Sequence, residues 1–151
     1  MSEVYLGLGS NLGDKEDHIR KAITLIGERV GLVVRQSSLI SSEPWGFESA
    51  NSFVNAVVCC ETSLTPRQVL QTTQQIERDL GKSQRHATVR NNKTTHYQDR
   101  PIDIDILLYD DLTIDEPDLK IPHPLMQQRD FVMIPLREIK EEVATINARN
   151  F

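Results

Sequence analysis

The chain is expected to fold as an α+β protein: a ferredoxin-like βαββαβ core, an antiparallel sheet with helices on one face, and a C-terminal extension. Three observations predict this. Strand-forming runs occur at Val4–Leu8, Leu32–Ile40, Phe53–Glu61 and Ile102–Tyr109. Two segments with helical apolar spacing, each with its own cap residues, lie between them. The resulting order of strand, helix, strand, strand, helix, strand is that of a split βαβ unit.

The elements follow in turn. Val4 to Leu8 reads as a short buried strand, broken by Gly9-Ser10-Asn11-Leu12-Gly13-Asp14. Asp14 is placed to cap a helix whose apolar face is Ile19, Ala22, Ile23, Ile26 and Val30, and Gly31 ends it. Leu32 to Ile40 alternates imperfectly and reads as a strand, followed by a loop over Ser41 to Ser52. In Phe53 to Glu61 the period of two puts Phe53, Asn55, Val57 and Cys59 on one face. Thr65-Pro66-Arg67-Gln68 is a capping box with proline at the first helical position. The helix behind it should bury Val69, Thr73, Ile76 and Leu80 and stop at Gly81. Lys82 to Asp99 has no apolar period and is expected to be a long functional loop. Ile102 to Tyr109 is a strong strand, Ile114 to Ile121 a weaker extended stretch, and Pro122 and Pro124 mark a turn. Arg129 to Lys140 reads as a helix that Pro135 should kink or break.

With 151 residues, the chain is expected to form one domain over 1–151. A net charge of -5 argues against a broad nucleic-acid-binding face. It leaves room for a local phosphate pocket, because a few cations can dominate a cleft. No apolar run is long enough to span a bilayer and the opening residues lack a signal pattern, so a cytoplasmic protein is expected. Cys59 and Cys60 are adjacent, would point to opposite faces of a strand, and fit no metal spacing.

The segment richest in chemistry is Arg100-Pro101-Ile102-Asp103-Ile104-Asp105-Ile106-Leu107. Period two puts Asp103 and Asp105 on one face and Ile102, Ile104 and Ile106 on the other. Two carboxylates so close repel unless a cation or a proton lies between them. Mg²⁺ fits, because it takes few carboxylates and completes its shell with water and substrate phosphates. A solvated strand face with two surface aspartates is the alternative. Arg100 just upstream, and Lys82, Arg85 and Arg90 in the preceding loop, are suited to polyphosphate. His123, in Ile121-Pro122-His123-Pro124, and Arg129 are further candidates for phosphate contacts. Gly7-x-Gly9-x-x-x-Gly13 has the wrong spacing for a dinucleotide fingerprint, and Gly81-Lys82-Ser83 follows a helix where a phosphate-binding loop follows a strand.

Four blocks in order, Leu8 to Asp14, Ser42-Glu43-Pro44-Trp45-Gly46 with Phe53-x-Asn55-Ala56, Arg100 to Leu107, and Ile121 to Val132, make the chain resemble the 6-hydroxymethyl-7,8-dihydropterin pyrophosphokinases over nearly its whole length. That resemblance implies an enzyme of folate biosynthesis that transfers pyrophosphate from ATP to the pterin and releases AMP. It implies that Asp103 and Asp105 bind two Mg²⁺ ions. It implies a pterin pocket of Ser42, Pro44, Trp45, Phe53, Asn55 and Phe131. It implies ATP contacts from Gln74, Glu77, Tyr97, Arg100, Ile106, His123 and Arg129, with Lys82, Arg85 and Arg90 in a lid. Small-molecule substrates, no nucleic acid or membrane, and a monomer are the matching expectations. The chain departs from the family pattern at Lys82, where many members carry Arg, and at Tyr97, where some carry Trp. A non-catalytic small-molecule-binding module on the same fold, or a different metal-dependent phosphotransferase, are the rival readings.

Overall fold

The computed structural model describes residues 1–42, 53–81 and 101–140. Strand β1 (Ser2–Ser10) leads into helix α1 (Lys15–Arg29), then β2 (Leu32–Gln36), β3 (Ile40–Ser42) and β4 (Phe53–Thr62). Helix α2 (Pro66–Gly81), β5 (Asp103–Tyr109) and the short strands β6 (Ile114–Glu116) and β7 (Leu119–Ile121) follow. A 3₁₀ turn (Met126–Gln128) precedes helix α3 (Asp130–Ile139).

The main sheet has the order β2-β4-β1-β5, with β3 also pairing β4, and every pair is antiparallel. Each βαβ unit therefore straddles a strand of the other: β1-α1-β2 encloses β4, and β4-α2-β5 encloses β1. The predicted caps form. The Asp14 carboxylate accepts from Asp17 N–H at 3.2 Å. Thr65 and Gln68 cap each other reciprocally, Thr65 N–H to Gln68 Oε1 at 2.9 Å and Gln68 N–H to Thr65 Oγ1 at 3.2 Å.

Both faces of the sheet are covered. Ile19, Ala22 and Ile26 of α1 and Val69 and Ile76 of α2 pack on Val4, Leu6, Leu8, Val58, Ile104 and Ile106. Each such Val, Leu or Ile side chain contributes about 1.5–3 kcal/mol on burial. The expectation of helices on one face holds for this pair. The third helix, α3, packs on the opposite face, where Val132, Met133, Leu136 and Ile139 meet Tyr5, Val57, Cys59 and Leu107. Pro135 does not end α3: it is a buried residue within the helix, in its second turn. The single strand read from Leu32 to Ile40 is two strands, because Ser37–Leu39 leaves the ladder. The stretch read as extended from Ile114 to Ile121 is a hairpin, anchored to α2 by ion pairs from Arg67 to Glu116 and Asp118.

Gly31 is where α1 turns into β2 against the C-terminal end of β4. A Cβ there would lie 2.1 Å from the Glu61 carbonyl oxygen and 2.9 Å from its carbon. Backbone cannot yield cheaply, so Gly31→Ala is expected to cost about 1–3 kcal/mol. At this size that lowers Tm by about 2–4 °C per kcal/mol. Thermal unfolding followed by circular dichroism checks it, and an unchanged Tm refutes the close packing.

Candidate active site

Strand β1 runs through the centre of the sheet and carries Gly7 and Gly9 on the α3 face. Gly9 lies opposite Asn55 of β4 and Asp103 of β5, and Gly7 lies opposite Val57 and Asp105. Directly opposed residues in an antiparallel pair share a face. Asn55, Asp103 and Asp105 therefore stand on one side of the sheet with a strip of side-chain-free strand between them. A Cβ on Gly9 would lie 3.0 Å from Asn55 Oδ1 and 3.6 Å from Phe53 Cδ1. One wall of the strip is thus Phe53 and Asn55, and the other is the aspartate pair. A register shift between Tyr5 and Leu6 then ends the strip, and Leu107 closes over Gly7, 3.3 Å from where its Cβ would stand.

The aspartates sit in a charged, half-buried setting. Strand β5 is at the sheet edge, and Glu77 reaches it from α2 to accept the Ile104 N–H at 2.7 Å. Burial pushes the Glu77 carboxyl well above the usual carboxylate range; the Ile104 hydrogen bond opposes this, and the charges of Asp103 and Asp105 add to it. Crowding of negative charge of this kind is what a bound cation relieves. On the other side, the His123 N–H donates to the Leu107 carbonyl at 3.0 Å, so the residue lies alongside β5. Its Nδ1 accepts from the Leu125 N–H at 3.2 Å, which leaves Nε2 as the protonated nitrogen, 4.0 Å from Asp105 Oδ2. Burial and then the Arg129 charge hold the imidazole below its usual range, opposed by Asp103. Near neutral pH it is an uncharged donor. Arg129 lies 5.7 Å over the Phe131 ring at the start of α3.

The donor set suits a hard divalent ion. Asp103 and Asp105 are carboxylates on one face, each partly exposed. Among the described residues no group of three or more His, Cys, Asp or Glu side chains is arranged to hold a metal unaided. An ion here would draw on two protein carboxylates and fill its remaining positions from water and a ligand's oxygens, which is how Mg²⁺ binds.

Of the residues singled out from sequence, the structure gathers Asp103, Asp105, Asn55, Phe53, His123, Arg129 and Phe131 on the α3 side of the sheet. Gln74 is exposed on α2, and Glu77 lies against the β5 edge. Ile106 is in the core under α1 and α2, so its side chain faces away from the aspartates. The backbone of Ser42 pairs with Phe53. Pro44, Trp45, Lys82, Arg85, Arg90, Tyr97 and Arg100 lie outside the described residues, as does the side chain of Ser42. Sequence reasoning missed Gly9 and Gly7. Their alternation was visible, but it opens a site only because β4 and β5 flank β1, which no local pattern states.

A model of the 7,8-dihydro-6-hydroxymethylpterin-pyrophosphokinase family matches residues 5–141. A 2-amino-4-hydroxy-6-hydroxymethyldihydropteridine pyrophosphokinase of Porphyromonas gingivalis is 45% identical over 140 residues, covering 92% of this chain and 91% of that one. One from Aquifex aeolicus is 40% identical over 143 residues, covering 95% and 83%. Among solved structures, a Plasmodium falciparum HPPK-DHPS superposes with a TM-score of 0.68 at 16% identity, which speaks to the fold alone. The match covers 92% of this chain and spans 40% of that longer one. Among the described residues no helix is long and apolar enough to cross a membrane.

Proposed function

Because the chain belongs to the 7,8-dihydro-6-hydroxymethylpterin-pyrophosphokinase family, we propose that it transfers the terminal pyrophosphate of ATP to 6-hydroxymethyl-7,8-dihydropterin, giving the pterin diphosphate and AMP in folate biosynthesis. The observation that supports this most is the placing of Asp103 and Asp105 across the bare Gly7–Gly9 strip from Asn55 and Phe53. One wall is suited to a polyphosphate with its metal, the other to a flat polar heterocycle.

In this reading Asn55 offers both a donor and an acceptor to the edge of the pterin. Phe53 and Phe131 supply aromatic surface for its ring. Ser42, Pro44 and Trp45 complete the pocket. Gln74, Glu77, Tyr97 and Arg129 contact ATP, Ile106 can do so through its backbone alone because its side chain is in the core, and Arg100, Lys82, Arg85 and Arg90 bring positive charge to its phosphates. Asp103 and Asp105 would hold two Mg²⁺ ions, whose charge would neutralise that of the phosphates. His123, whose Nε2 lies 4.0 Å from Asp105 Oδ2, would donate its Nε2–H to a phosphate oxygen. The pterin hydroxymethyl oxygen attacks the β-phosphorus in line, the bond from that phosphorus to the oxygen bridging the α- and β-phosphates breaks, AMP leaves, and the hydroxyl proton is lost. Nothing in this step needs a covalent enzyme intermediate, so catalysis is positioning plus charge stabilisation. The chain is read as one pyrophosphokinase domain acting as a cytoplasmic monomer.

The test is AMP formation from ATP, followed chromatographically with and without 6-hydroxymethyl-7,8-dihydropterin. AMP is expected only when pterin and Mg²⁺ are both present. Release of inorganic phosphate independent of pterin, or no turnover at all, overturns the proposal.

A further inference from the structure

We infer that Glu138 is a positioning residue for the pterin pocket, acting through its clamp on Ser38; this rests on the function proposed above. The starting point is the defect in the ladder between β2 and β3. Pairing to β4 stops at Gln36 opposite Val58 and resumes at Ile40 opposite Asn55. Ser37, Ser38 and Leu39 thus face only Ala56 and Val57, one residue too many for a regular ladder. Such a bulge bends the strand and frees backbone groups.

Ser37 is held from within the sheet. Its N–H donates to the Val57 carbonyl at 2.9 Å, and its hydroxyl accepts the Val57 N–H at 2.9 Å. Ser38 is held from outside it. Its N–H donates to both Glu138 carboxylate oxygens, at 2.9 and 3.1 Å, and its hydroxyl donates to Oε1 at 2.6 Å. A charged acceptor taking three contacts from one residue is the strong form of a hydrogen bond.

What this clamp holds gives it a functional consequence. β3 begins two residues after Ser38 and pairs Ile40 with Asn55, Ser41 with Val54 and Ser42 with Phe53. Of those β4 residues, Asn55 and Phe53 form the pterin wall of the site. Glu138 sits about two turns along α3 from Phe131, on the same side of the helix. One helix therefore presents Phe131 at its start and grips the corner leading to Ser42 near its end. The clamp sets the distance between two parts of the pterin pocket and touches neither the aspartates nor His123.

The experiment compares steady-state kinetics of the full-length protein with those of Glu138→Ala, Glu138→Gln and the milder Ser38→Ala. Glu138→Ala is expected to raise KM for the pterin by roughly fivefold, with kcat and KM for ATP changed by less than about twofold. Glu138→Gln keeps an acceptor oxygen and should recover most of the loss, and Ser38→Ala should move KM for the pterin in the same direction by less. A role in stability alone would lower Tm and leave KM for the pterin unchanged, which overturns the inference. An equal rise in KM for ATP, or no rescue by Gln, also overturns it. If the parent protein itself makes no AMP with pterin, the proposed function has failed. If the parent is active and all variants match it, only the Glu138 inference has failed.

Discussion

Asp103→Ala is expected to lower turnover by roughly three orders of magnitude or more, about 4 kcal/mol of lost transition-state stabilisation, while the protein stays folded. The direction follows from charge. The phosphoryl group in flight spreads negative charge over its oxygens, and a metal-assisted site depends on cations held in register with them. Asp103 stands opposite Gly9 on the cleft face and belongs to neither hydrophobic core. Its removal would delete one of the two proposed metal ligands without opening a cavity, and it relieves repulsion on the half-buried Glu77 carboxyl. Circular dichroism should therefore be unchanged. Single-turnover kinetics under chemical quench read the chemical step. Titration of Mg²⁺ against a non-hydrolysable ATP analogue reads metal coupling independently. Turnover within about tenfold of the parent at saturating Mg²⁺ would sink the assignment of the pair as metal ligands.

Gly9→Val should be the second most damaging change, with kcat/KM for the pterin falling by roughly a hundredfold. The Cβ alone would come within 3.0 Å of Asn55 Oδ1 and 3.6 Å of the Phe53 ring, and the valine methyls extend further over the strip. Asn55 is buried, so its amide has little room to retreat. Gly9→Ala should show the same defect at about a tenth of the size. Valine is a good strand residue, so backbone propensity works against any loss of fold. KM for ATP, measured at saturating pterin, should move far less. A Gly9→Val enzyme with normal pterin kinetics would mean that the strip is not part of the pocket.

How much of this was legible beforehand differs from residue to residue. The alternation of Asp103 and Asp105 against Ile102, Ile104 and Ile106 was readable because strand periodicity is local, and all three isoleucines are in the core. The Asp14 and Thr65/Gln68 caps were readable for the same reason: donor and acceptor lie within one helical turn. Pro135 does not break α3, because its missing N–H removes a single bond in a helix whose apolar face is packed against the sheet. The Ser37–Leu39 step was invisible, since only pairing with Ala56 and Val57 reveals the surplus residue.

Local order along the chain was enough to settle the main strands β1, β4 and β5 and the helices, where two of the helices start, and which carboxylates share a face. Those are short-range matters of periodicity, capping and sterics. Only the assembled sheet decided that β1 lies between β4 and β5, so that two glycines open a strip between Asn55 and the aspartates. It also decided that α3 covers the second face, that Glu77 meets the β5 edge, and that Glu138 reaches Ser38. These contacts join residues far apart in sequence. Their free energy comes from burial and pairing between whole elements, a quantity that no window of neighbouring residues contains.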